Sequence, residues 1–420
     1  GCYVGVACSG DYIVSAAADF EALAGCSHIT GKLLVVDSDD LEDLSGGANI
    51  ESVGTDFVIR DNSAMLSLKG MPRLKSVGGE FVVARNPALL SLDAMDALET
   101  VGGNMMVTEN PVMVTAKGFN TLTDVVEHLV FENNISLTSI GGLNALRQAE
   151  NIQIQRNEQL ETVDGFDALE EVASFYFNNN DALVQVDLGS LTTVSEGLVF
   201  AENGSLSSLT GFGNLVGIAG FLNIKGNHSL IDLKAFKSLE SIEDFFFIEK
   251  NDGLESLDGC EKLASVGQYF YIDSNSSLRD VQGLSALTSV GADLLVGNNG
   301  ALENLGGLEK LMSVGGFMRI AFNDSLKTID ALSSVESVGD YVMIEANISL
   351  EHVDGLSGLT YVPGYVDITD NEVLKHVNGL TSLEETGGYL SLESNNNLVD
   401  TSGLINLTAI GGNLWIVRND

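Results

Sequence analysis

Proline is scarce in this chain, with 4 residues in 420, whereas glycine occurs 46 times. Because proline cannot donate a backbone hydrogen bond, its scarcity fits a chain of strands, and frequent glycine fits the tight turns between them. No apolar run approaches the roughly 18–20 residues that a membrane helix needs. The sequence therefore predicts no direct insertion of this segment into a membrane.

Basic residues are also few. Lysine and arginine number 20 against 59 aspartates and glutamates, so the net charge is −39. Such a chain repels nucleic acid and anionic membranes, which excludes both as expected partners. The charge favours cations, basic partners or a salty medium. Solubility is the simpler explanation, and we weigh it above a specific cation function.

Motifs for catalysis and tight metal binding are absent from the sequence. There is no nucleophile elbow, phosphate loop or C-x-x-C pair, and the basic residues do not gather at one repeat position as a polysaccharide lyase would require. The histidines are scattered without metal-ligand spacing: His28, His128, His228, His352 and His376. We therefore predict no enzyme, no catalytic residue, no metal site and no cofactor. Acidic residues near strand ends are compatible only with weak Ca²⁺ binding.

An asparagine recurs along most of the chain, and twelve of its fifteen steps are 24 residues while three are 23. The series is Asn62, Asn86, Asn110, Asn134, Asn157, Asn180, Asn203, Asn227, Asn251, Asn275, Asn299, Asn323, Asn347, Asn371, Asn395 and Asn419, with Ser38 in the same place of an earlier coil. The unit reads L-x-x-V-G-G-x-L-x-I-x-x-N-x-x-L-x-x-L-x-G-L. Its L-x-I segment alternates with a period of two, which predicts a strand with one buried face.

No stretch carries a helical period of ten residues or more, so each coil should be mostly strand and turn. Identical coils can pair strand on strand and share a core. The sequence therefore predicts an all-β fold, a right-handed parallel β-helix or solenoid of about 17 coils. Asparagine both donates and accepts, so stacked copies should form a ladder that satisfies buried polar groups at a corner.

Glycosylation motifs overlap this ladder. Six ladder residues begin N-x-S motifs: Asn134, Asn203, Asn227, Asn275, Asn323 and Asn347. Because a ladder side chain points inward, we interpret these six motifs as structural. Asn406, in Asn406-Leu407-Thr408, lies off the ladder and is the predicted glycan acceptor.

Aromatic residues recur at the outward positions of the later strands, where early coils hold Asp56, Glu80, Asn104 and His128. They are Phe221, Phe245, Tyr269, Phe317, Tyr341, Tyr365 and Tyr389 before the strand's first leucine, in a series that also contains Asp293, and Phe247, Tyr271 and Trp415 at the middle position. Stacked aromatics can simply stabilise neighbouring strands, but a long exposed apolar stripe is more typical of an interface. We favour an interface that binds a protein, another copy of the chain or a glycan.

The repeat resembles the receptor L domain, the β-helical domain of the insulin and epidermal growth factor receptors. It departs from the standard leucine-rich repeat, L-x-x-L-x-L-x-x-N, by two extra residues before the L-x-I strand. The most specific match is the first coil, in which Cys26 precedes the Ile29-Thr30-Gly31 turn and the Leu33-Leu34-Val35 strand. The resemblance spans roughly residues 11–420 and implies that the large sheet is the contact surface.

Four cysteines occur, Cys2, Cys8, Cys26 and Cys260. In the L-domain family the first-coil cysteine pairs with one upstream, which implies a Cys8–Cys26 disulfide and leaves Cys2 for an unseen partner or a second chain. Three cysteines near the N-terminus also suit a secreted protein. Cys260 replaces a leucine or phenylalanine of the repeat and is expected to be buried.

These observations predict a disulfide-containing N-terminal cap over residues 1–28 and one continuous solenoid over residues 29–420. The array stops mid-coil, so we expect the native chain to continue. The predicted function is an extracellular or cell-surface module for recognition, adhesion or assembly. The alternatives are a structural subunit of a cell wall, sheath or surface filament and, with less support, a polysaccharide-acting enzyme.

Overall fold

The computed structural model describes residues 5–419. Its regular structure is almost entirely parallel strand, stacked into a β-solenoid of about 17 turns with little helix, which confirms the predicted fold class. The chain divides into two compact units, Gly1–Asn214 and Leu215–Asp420. We call them the N-terminal and C-terminal units and describe each by itself.

The N-terminal unit contains one sheet of long strands and two sheets of short ones, and each strand pairs in parallel with the equivalent strand one coil away. The long strands are Tyr12–Val14, Leu33–Val36, Phe57–Arg60, Phe81–Ala84, Met105–Thr108, His128–Glu132, Asn151–Gln155, Glu171–Asn178 and Thr193–Ala201. The short strands are Ala7–Cys8, His28–Ile29, Ser52–Val53, Ser76–Val77, Thr100–Val101 and Asp124–Val125 in one sheet, and Thr115–Ala116, Ser139–Ile140, Thr162–Val163, Gln185–Asp187 and Ser208–Thr210 in the other. The 3₁₀ segments are Ala17–Leu23 and Ser45–Gly47.

The C-terminal unit repeats one coil more regularly. Its long strands are Phe221–Lys225, Phe246–Glu249, Phe270–Asp273, Leu294–Gly297, Met318–Ala321, Val342–Glu345, Val366–Thr369, Leu390–Glu393 and Leu414–Val417. Its short strands are Gly217–Ile218, Ser241–Ile242, Ser265–Val266, Ser289–Val290, Ser313–Val314, Ser337–Val338, Tyr361–Val362, Glu385–Thr386 and Ala409–Ile410. The 3₁₀ turns are Lys234–Phe236, Gln282–Leu284, Asp330–Leu332, Asp354–Leu356, Asn378–Leu380 and Ser402–Leu404.

The L-x-I alternation places two residues of most long strands in the core, although the last strand, Leu414–Val417, is exposed. In the strand Met318–Ala321, for example, Met318 and Ile320 are fully buried, and Arg319 between them points outward. Burying one such side chain stabilises the fold by roughly 1.5–3 kcal/mol. A glycine follows several of the short strands and allows successive coils to approach closely, because a Cβ atom at Gly315 would clash with the carbonyl oxygen of Gly291.

The predicted asparagine ladder is present, and its members up to Asn395 are fully buried. Asn323 is representative. Its backbone N–H donates to Oδ1 of Asn347 at 3.1 Å, and its Nδ2 donates to the carbonyl of Val296 at 3.0 Å and to Oδ1 of Asn347 at 3.1 Å. The ladder thus satisfies backbone groups at the corner that follows each strand.

The residue before each ladder asparagine adopts the left-handed conformation, with φ between 51° and 59° at its non-glycine members. Glycine occupies this place only at Gly226 among the residues described, and even Phe322 adopts a φ of 59°. A non-glycine residue in this region costs roughly 1–2 kcal/mol. The buried asparagine that follows holds the corner in this conformation.

Two of the cysteine predictions can be compared with the structure. Cys8 and Cys26 are joined by a disulfide, with 5.7 Å between their Cα atoms. Cys260 is fully buried, and burial raises the pKa of its thiol to about 12, so it behaves as a small apolar side chain. Cys2 lies outside the described residues.

Candidate binding face

Each long strand of the C-terminal unit presents three outward positions, and equivalent positions stack into three columns. The first column precedes or opens the strand, the middle one lies between the two buried residues, and the third ends the strand. All ten aromatic residues predicted from the sequence lie in the first two columns, and we call this surface the aromatic face. Its members are Phe221, Phe245, Phe247, Tyr269, Tyr271, Phe317, Tyr341, Tyr365, Tyr389 and Trp415.

The aromatic rings form two stacks. In the first, the ring centroids are 4.7 Å apart for Phe221 and Phe245, 4.3 Å for Phe245 and Phe247, and 4.9 Å for Phe247 and Tyr271. The planes of these pairs differ by 7° to 27°. The spacings of Phe221 from Phe245 and of Phe247 from Tyr271 match the separation of neighbouring strands, so the backbone register brings these rings into contact, whereas Phe245 and Phe247 lie in the same coil. Tyr269 lies beside Tyr271 at 6.0 Å.

The second stack is longer and more regular. It runs from Phe317 through Tyr341 and Tyr365 to Tyr389, with centroid separations of 4.8, 4.4 and 4.5 Å and interplanar angles of 6° to 11°. Trp415 continues it at 5.1 Å with a tilt of 47°. Each aromatic pair of this kind contributes roughly 0.5–1.5 kcal/mol beyond burial.

The two stacks are separated by the coil that contains Asp293 and Leu295. Asp293 occupies the first column, and its carboxylate accepts a hydrogen bond from the backbone N–H of Phe317 at 3.0 Å. An aspartate cannot continue a stack of rings. The sequence series therefore corresponds to two aromatic patches and not to one continuous stripe.

The rings are less exposed than a free stripe would be. Only Tyr269, at 40%, and Trp415, at 43%, count as exposed, and the other eight are half-buried because their faces cover one another. Burial raises the pKa of Tyr271 to about 12 and raises the pKa values of Tyr341, Tyr365 and Tyr389. The face therefore offers ring edges and neutral hydroxyl groups to a partner.

A carboxylate lies beside the second stack, and the sequence analysis did not predict it as part of the face. Asp367 occupies the middle column, and its Oδ2 accepts a weak hydrogen bond from the Tyr389 hydroxyl at 3.4 Å. Its Oδ1 is buried and has no hydrogen-bond partner within residues 5–419. Burial raises the pKa of Asp367, the hydroxyl groups of Ser391 and Tyr389 beside it act in the opposite direction, and the charges of Glu345 and Glu393 raise it further. Scanning the middle column for polar residues, and not only for aromatics, would have found it.

The remaining charges at this end of the face are mostly paired. Arg319 in the middle column contacts Glu345 of the third column at 2.9 Å, and Arg418 contacts Glu393 at 3.0 Å. Arg319 also lies 5.8 Å from the ring centroid of Phe322, which is 41% exposed. Asp367 differs from Glu345 and Glu393 because no arginine or lysine pairs with it in the part of the chain described.

The predicted glycan acceptor lies away from this face. Asn406 is exposed, and its Nδ2 donates to the carbonyl of Thr381 at 2.9 Å. The six ladder asparagines within N-x-S motifs are fully buried. A buried side-chain amide cannot accept a glycan without opening its coil, so Asn406 stays the predicted acceptor.

A family model described as BspA type leucine rich repeat region matches residues 119–220 and 156–278, with six copies. The matched repeats, which make up less than half of the chain, are similar to leucine-rich repeats of the BspA type. The more specific assignment to receptor L domains has no support from this match. No curated protein matches the chain significantly.

Two solved structures align with most of the chain at low similarity. A leucine-rich repeat protein from Bacteroides ovatus ATCC 8483 is 12% identical, with a TM-score of 0.31, and the alignment covers 91% of this chain and 88% of that one. A TLR13–ssRNA13 complex is 16% identical, with a TM-score of 0.25, and the alignment covers 97% of this chain and 78% of that one. We draw no functional argument from either likeness.

Leucine-rich repeats typically mediate protein binding or recognition, and the similarity of this chain to them extends over residues 119–278. No helix within residues 5–419 has the length and apolar character needed to cross a membrane.

Proposed function

We propose that this chain is an extracellular recognition module that binds a basic segment of a protein partner through the aromatic face. The observation that carries the proposal is Asp367, a half-buried carboxylate beside the stacked rings of Tyr365 and Tyr389 with one oxygen left without a partner. A lysine or arginine of a partner would supply the missing donor. It would also contact the ring edges and hydroxyl groups around it.

Charge and composition support a basic partner. The net charge of −39 attracts positively charged segments and raises their rate of encounter. Tyrosine, tryptophan and arginine are the residues most enriched at the energetic centres of protein interfaces. A hydrogen bond to a charged group in a desolvated site contributes about 1.5–3 kcal/mol. Aromatic edges around one uncompensated carboxylate therefore suit a lysine or arginine anchor.

An extracellular location is also part of the proposal. The Cys8–Cys26 disulfide is typical of oxidising compartments, and proteins with BspA-type repeats are typically secreted or held at the surface. We further propose that residues 1–28 cap the solenoid that follows. In support, Phe20 and Leu23 are buried, and the strand Ala7–Cys8 pairs with His28–Ile29.

Trp415 provides a direct test because it is the only tryptophan in the sequence and lies at the end of the second stack. Synthetic peptides of equal length that are lysine- and arginine-rich, neutral or acidic would be titrated against the full chain while Trp415 fluorescence is recorded. We expect saturable changes with the basic peptides, weakened by salt. Equal responses to acidic and basic peptides would contradict the proposal.

The role of Asp367 is tested by Asp367→Asn, which keeps the shape of the side chain and removes its charge. Affinity for the basic peptides should fall about 10- to 100-fold. Asp324→Asn is the matched control, because it removes one negative charge from an exposed position of the same unit away from the face. If both variants lose affinity equally, the peptides are attracted by the net charge of the chain, and Asp367 is not a specific binding residue.

The rings are tested separately from the carboxylate. Replacing Tyr341, Tyr365 and Tyr389 with phenylalanine keeps the stack and should retain most peptide affinity. Replacing all three with serine should abolish it. Size-exclusion chromatography of each variant, with and without reducing agent, shows whether copies of the chain associate through this face instead. A Trp415 response to oligosaccharides alone would favour a glycan ligand over a protein.

A further inference from the structure

Two histidines that are 24 residues apart in the sequence become neighbours in the C-terminal unit. His352 and His376 occupy the same position in consecutive coils and form a parallel bridge, with ring centroids 5.6 Å apart and planes within 9°. Each is followed by a fully buried valine, Val353 or Val377, which holds the backbone in register. These residues precede the 3₁₀ turns and lie outside the aromatic face.

Two aspartates face these imidazoles. Asp330 and Asp354 each begin a 3₁₀ turn, Asp330–Leu332 and Asp354–Leu356, one coil apart. Nδ1 of His352 lies 3.4 Å from Oδ1 of Asp330 and 3.4 Å from Oδ2 of Asp354. Nδ1 of His376 lies 3.7 Å from Oδ1 of Asp354. Three consecutive coils therefore bring two imidazole nitrogens and two carboxylates to one place.

These distances are too long for charged hydrogen bonds, which are about 2.7–2.9 Å. Nδ1 of His352, Nδ1 of His376 and Oδ1 of Asp354 are buried, and none has a hydrogen-bond partner among residues 5–419. Buried polar atoms are normally satisfied. A bound cation would satisfy these three atoms and would also separate the charges of Asp330 and Asp354, which both lie beside Nδ1 of His352.

We propose that Asp330, His352 and Asp354 bind a divalent transition metal, best fitted by Zn²⁺, with His376 as the fourth ligand from the next coil. One ligand atom from each of the first three residues lies within 4.8 Å of the others. Zinc bonds nitrogen and carboxylate oxygen at about 2.0–2.2 Å, which makes the edge of a tetrahedral site about 3.3–3.6 Å long. The two measured separations of 3.4 Å match that edge.

The ligand types separate zinc from calcium and magnesium. Imidazole nitrogen suits Zn²⁺ and its transition-metal neighbours, whereas Ca²⁺ and Mg²⁺ are held by oxygen atoms. Asp400, which continues the histidine column, is engaged by the backbone N–H of Ser402 at 2.8 Å and is not needed as a ligand. The site would cross-link three coils, at the residues numbered 330, 352–354 and 376.

Isothermal titration calorimetry of the full chain with ZnCl₂ tests the site. We expect one saturable equivalent of zinc and, with Co²⁺ in its place, the intense visible absorption of a tetrahedral site. His352→Ala should weaken zinc binding at least about 100-fold, beyond the 10- to 100-fold typical of losing an outer partner, and His376→Ala should have a smaller effect. A wild-type chain that binds no zinc would overturn the proposal.

The control is His228→Ala. His228 lies 3.0 Å from Asp252 at an exposed position of the same unit, with a single carboxylate beside it, and its loss should leave zinc affinity unchanged. Asp330→Asn serves if an alanine variant fails to fold, because it keeps the side-chain shape, and it should also weaken binding. Ca²⁺ that competes as well as Zn²⁺, or unchanged zinc binding in a folded His352→Ala chain, would show that the imidazoles are not ligands.

Discussion

The first outward column of the N-terminal unit and that of the C-terminal unit occupy the same position of the coil but are held together by different interactions. In the N-terminal unit Lys32 pairs with Asp56 at 2.8 Å, and Asn104 donates to Glu80 at 3.1 Å. In the C-terminal unit the same column stacks aromatic rings at 4.4–4.8 Å. Parallel coils place each residue beside the equivalent residue of the next coil. The side chains of one column must therefore be able to pack against one another. Polar pairs and aromatic stacks are two solutions to that requirement.

The buried side of the coil does not differ between the units in this way. Both carry the same asparagine ladder and the same alternation of buried side chains. The comparison therefore separates a shared architecture from a surface that varies with function. Three paired substitutions test it.

The largest effect is expected in the ladder and should be equal in the two units. Asn110→Ala and Asn323→Ala each remove a side chain that accepts from the preceding asparagine N–H at 3.1 Å and donates to a strand carbonyl at 3.0 Å. Leaving these buried groups unpaired should cost about 3 kcal/mol or more of local stability. Native-state hydrogen exchange of the flanking coils measures it. Costs that differ between the units by more than about 1 kcal/mol would show that the ladders are not equivalent.

A smaller effect should distinguish the outward columns. Tyr365→Ser removes two stacking contacts, at 4.4 and 4.5 Å, and should destabilise its coils by about 1–3 kcal/mol. Asn104→Ser, at the equivalent position of the N-terminal unit, should cost about 1 kcal/mol. It removes two hydrogen bonds, to Glu80 and from the backbone N–H of His128, but both are only partly buried. Hydrogen exchange in the neighbouring strands provides both values. Equal costs would mean that the aromatic stack contributes nothing particular to stability.

The smallest expected effect concerns two carboxylates, Asp56 and Asp367, whose contributions to folding stability should change in opposite directions with pH. The hydrogen bond from Lys32 lowers the pKa of Asp56 below its ordinary value of 3.8, so its stabilisation is present above pH 3.8 and is lost as the pH falls below it. Burial raises the pKa of Asp367, so its ionisation opposes folding at neutral pH, and stability is regained as the pH falls toward 3.8.

Asp56→Asn and Asp367→Asn separate the contributions of these two side chains to stability from those of the other carboxylates. Asp56→Asn should lower stability at pH 7 by about 0.2–1 kcal/mol, because the pair is largely exposed and screened. Asp367→Asn should raise it by about 0.5 kcal/mol. Thermal unfolding from pH 3 to pH 7 gives the difference between each variant and the wild type. Differences of the same sign would remove the contrast between the two carboxylates.

The repeat made most of the fold predictable. An asparagine every 23–24 residues and an L-x-I alternation determine which side chains face inward, and the burial of Asn323 and Ile320 agrees with that register. The same register correctly assigned the aromatic residues to one side of the long strands. What it could not provide was their mutual contact. Stacking leaves most of the rings half-buried, whereas Asp293, which divides them into two patches, was already visible in the sequence series.

Other features escaped the sequence for physical reasons. Metal motifs are usually recognised by short spacings within a turn or a helix, whereas a solenoid makes neighbours of residues 24 apart, as for His352 and His376. The left-handed backbone conformation of the residue before each ladder asparagine was also not predictable from the sequence. Glycine marks only Gly226 among the described corners, while Phe322 and Ala346 adopt the same conformation with side chains that give no such signal.

The asparagine ladder also affects which asparagine side chains are susceptible to deamidation. Asparagine followed by glycine is prone to deamidation, which requires its side-chain carbonyl to rotate toward the next backbone nitrogen. Asn299 precedes Gly300, yet its side chain is fully buried and is fixed by bonds to Ile272 and Asn323 at 2.9 and 3.3 Å. Asn378 precedes Gly379 at an exposed position. Damage over a long lifetime should therefore accumulate at Asn378 on the surface while the folded ladder keeps its amides.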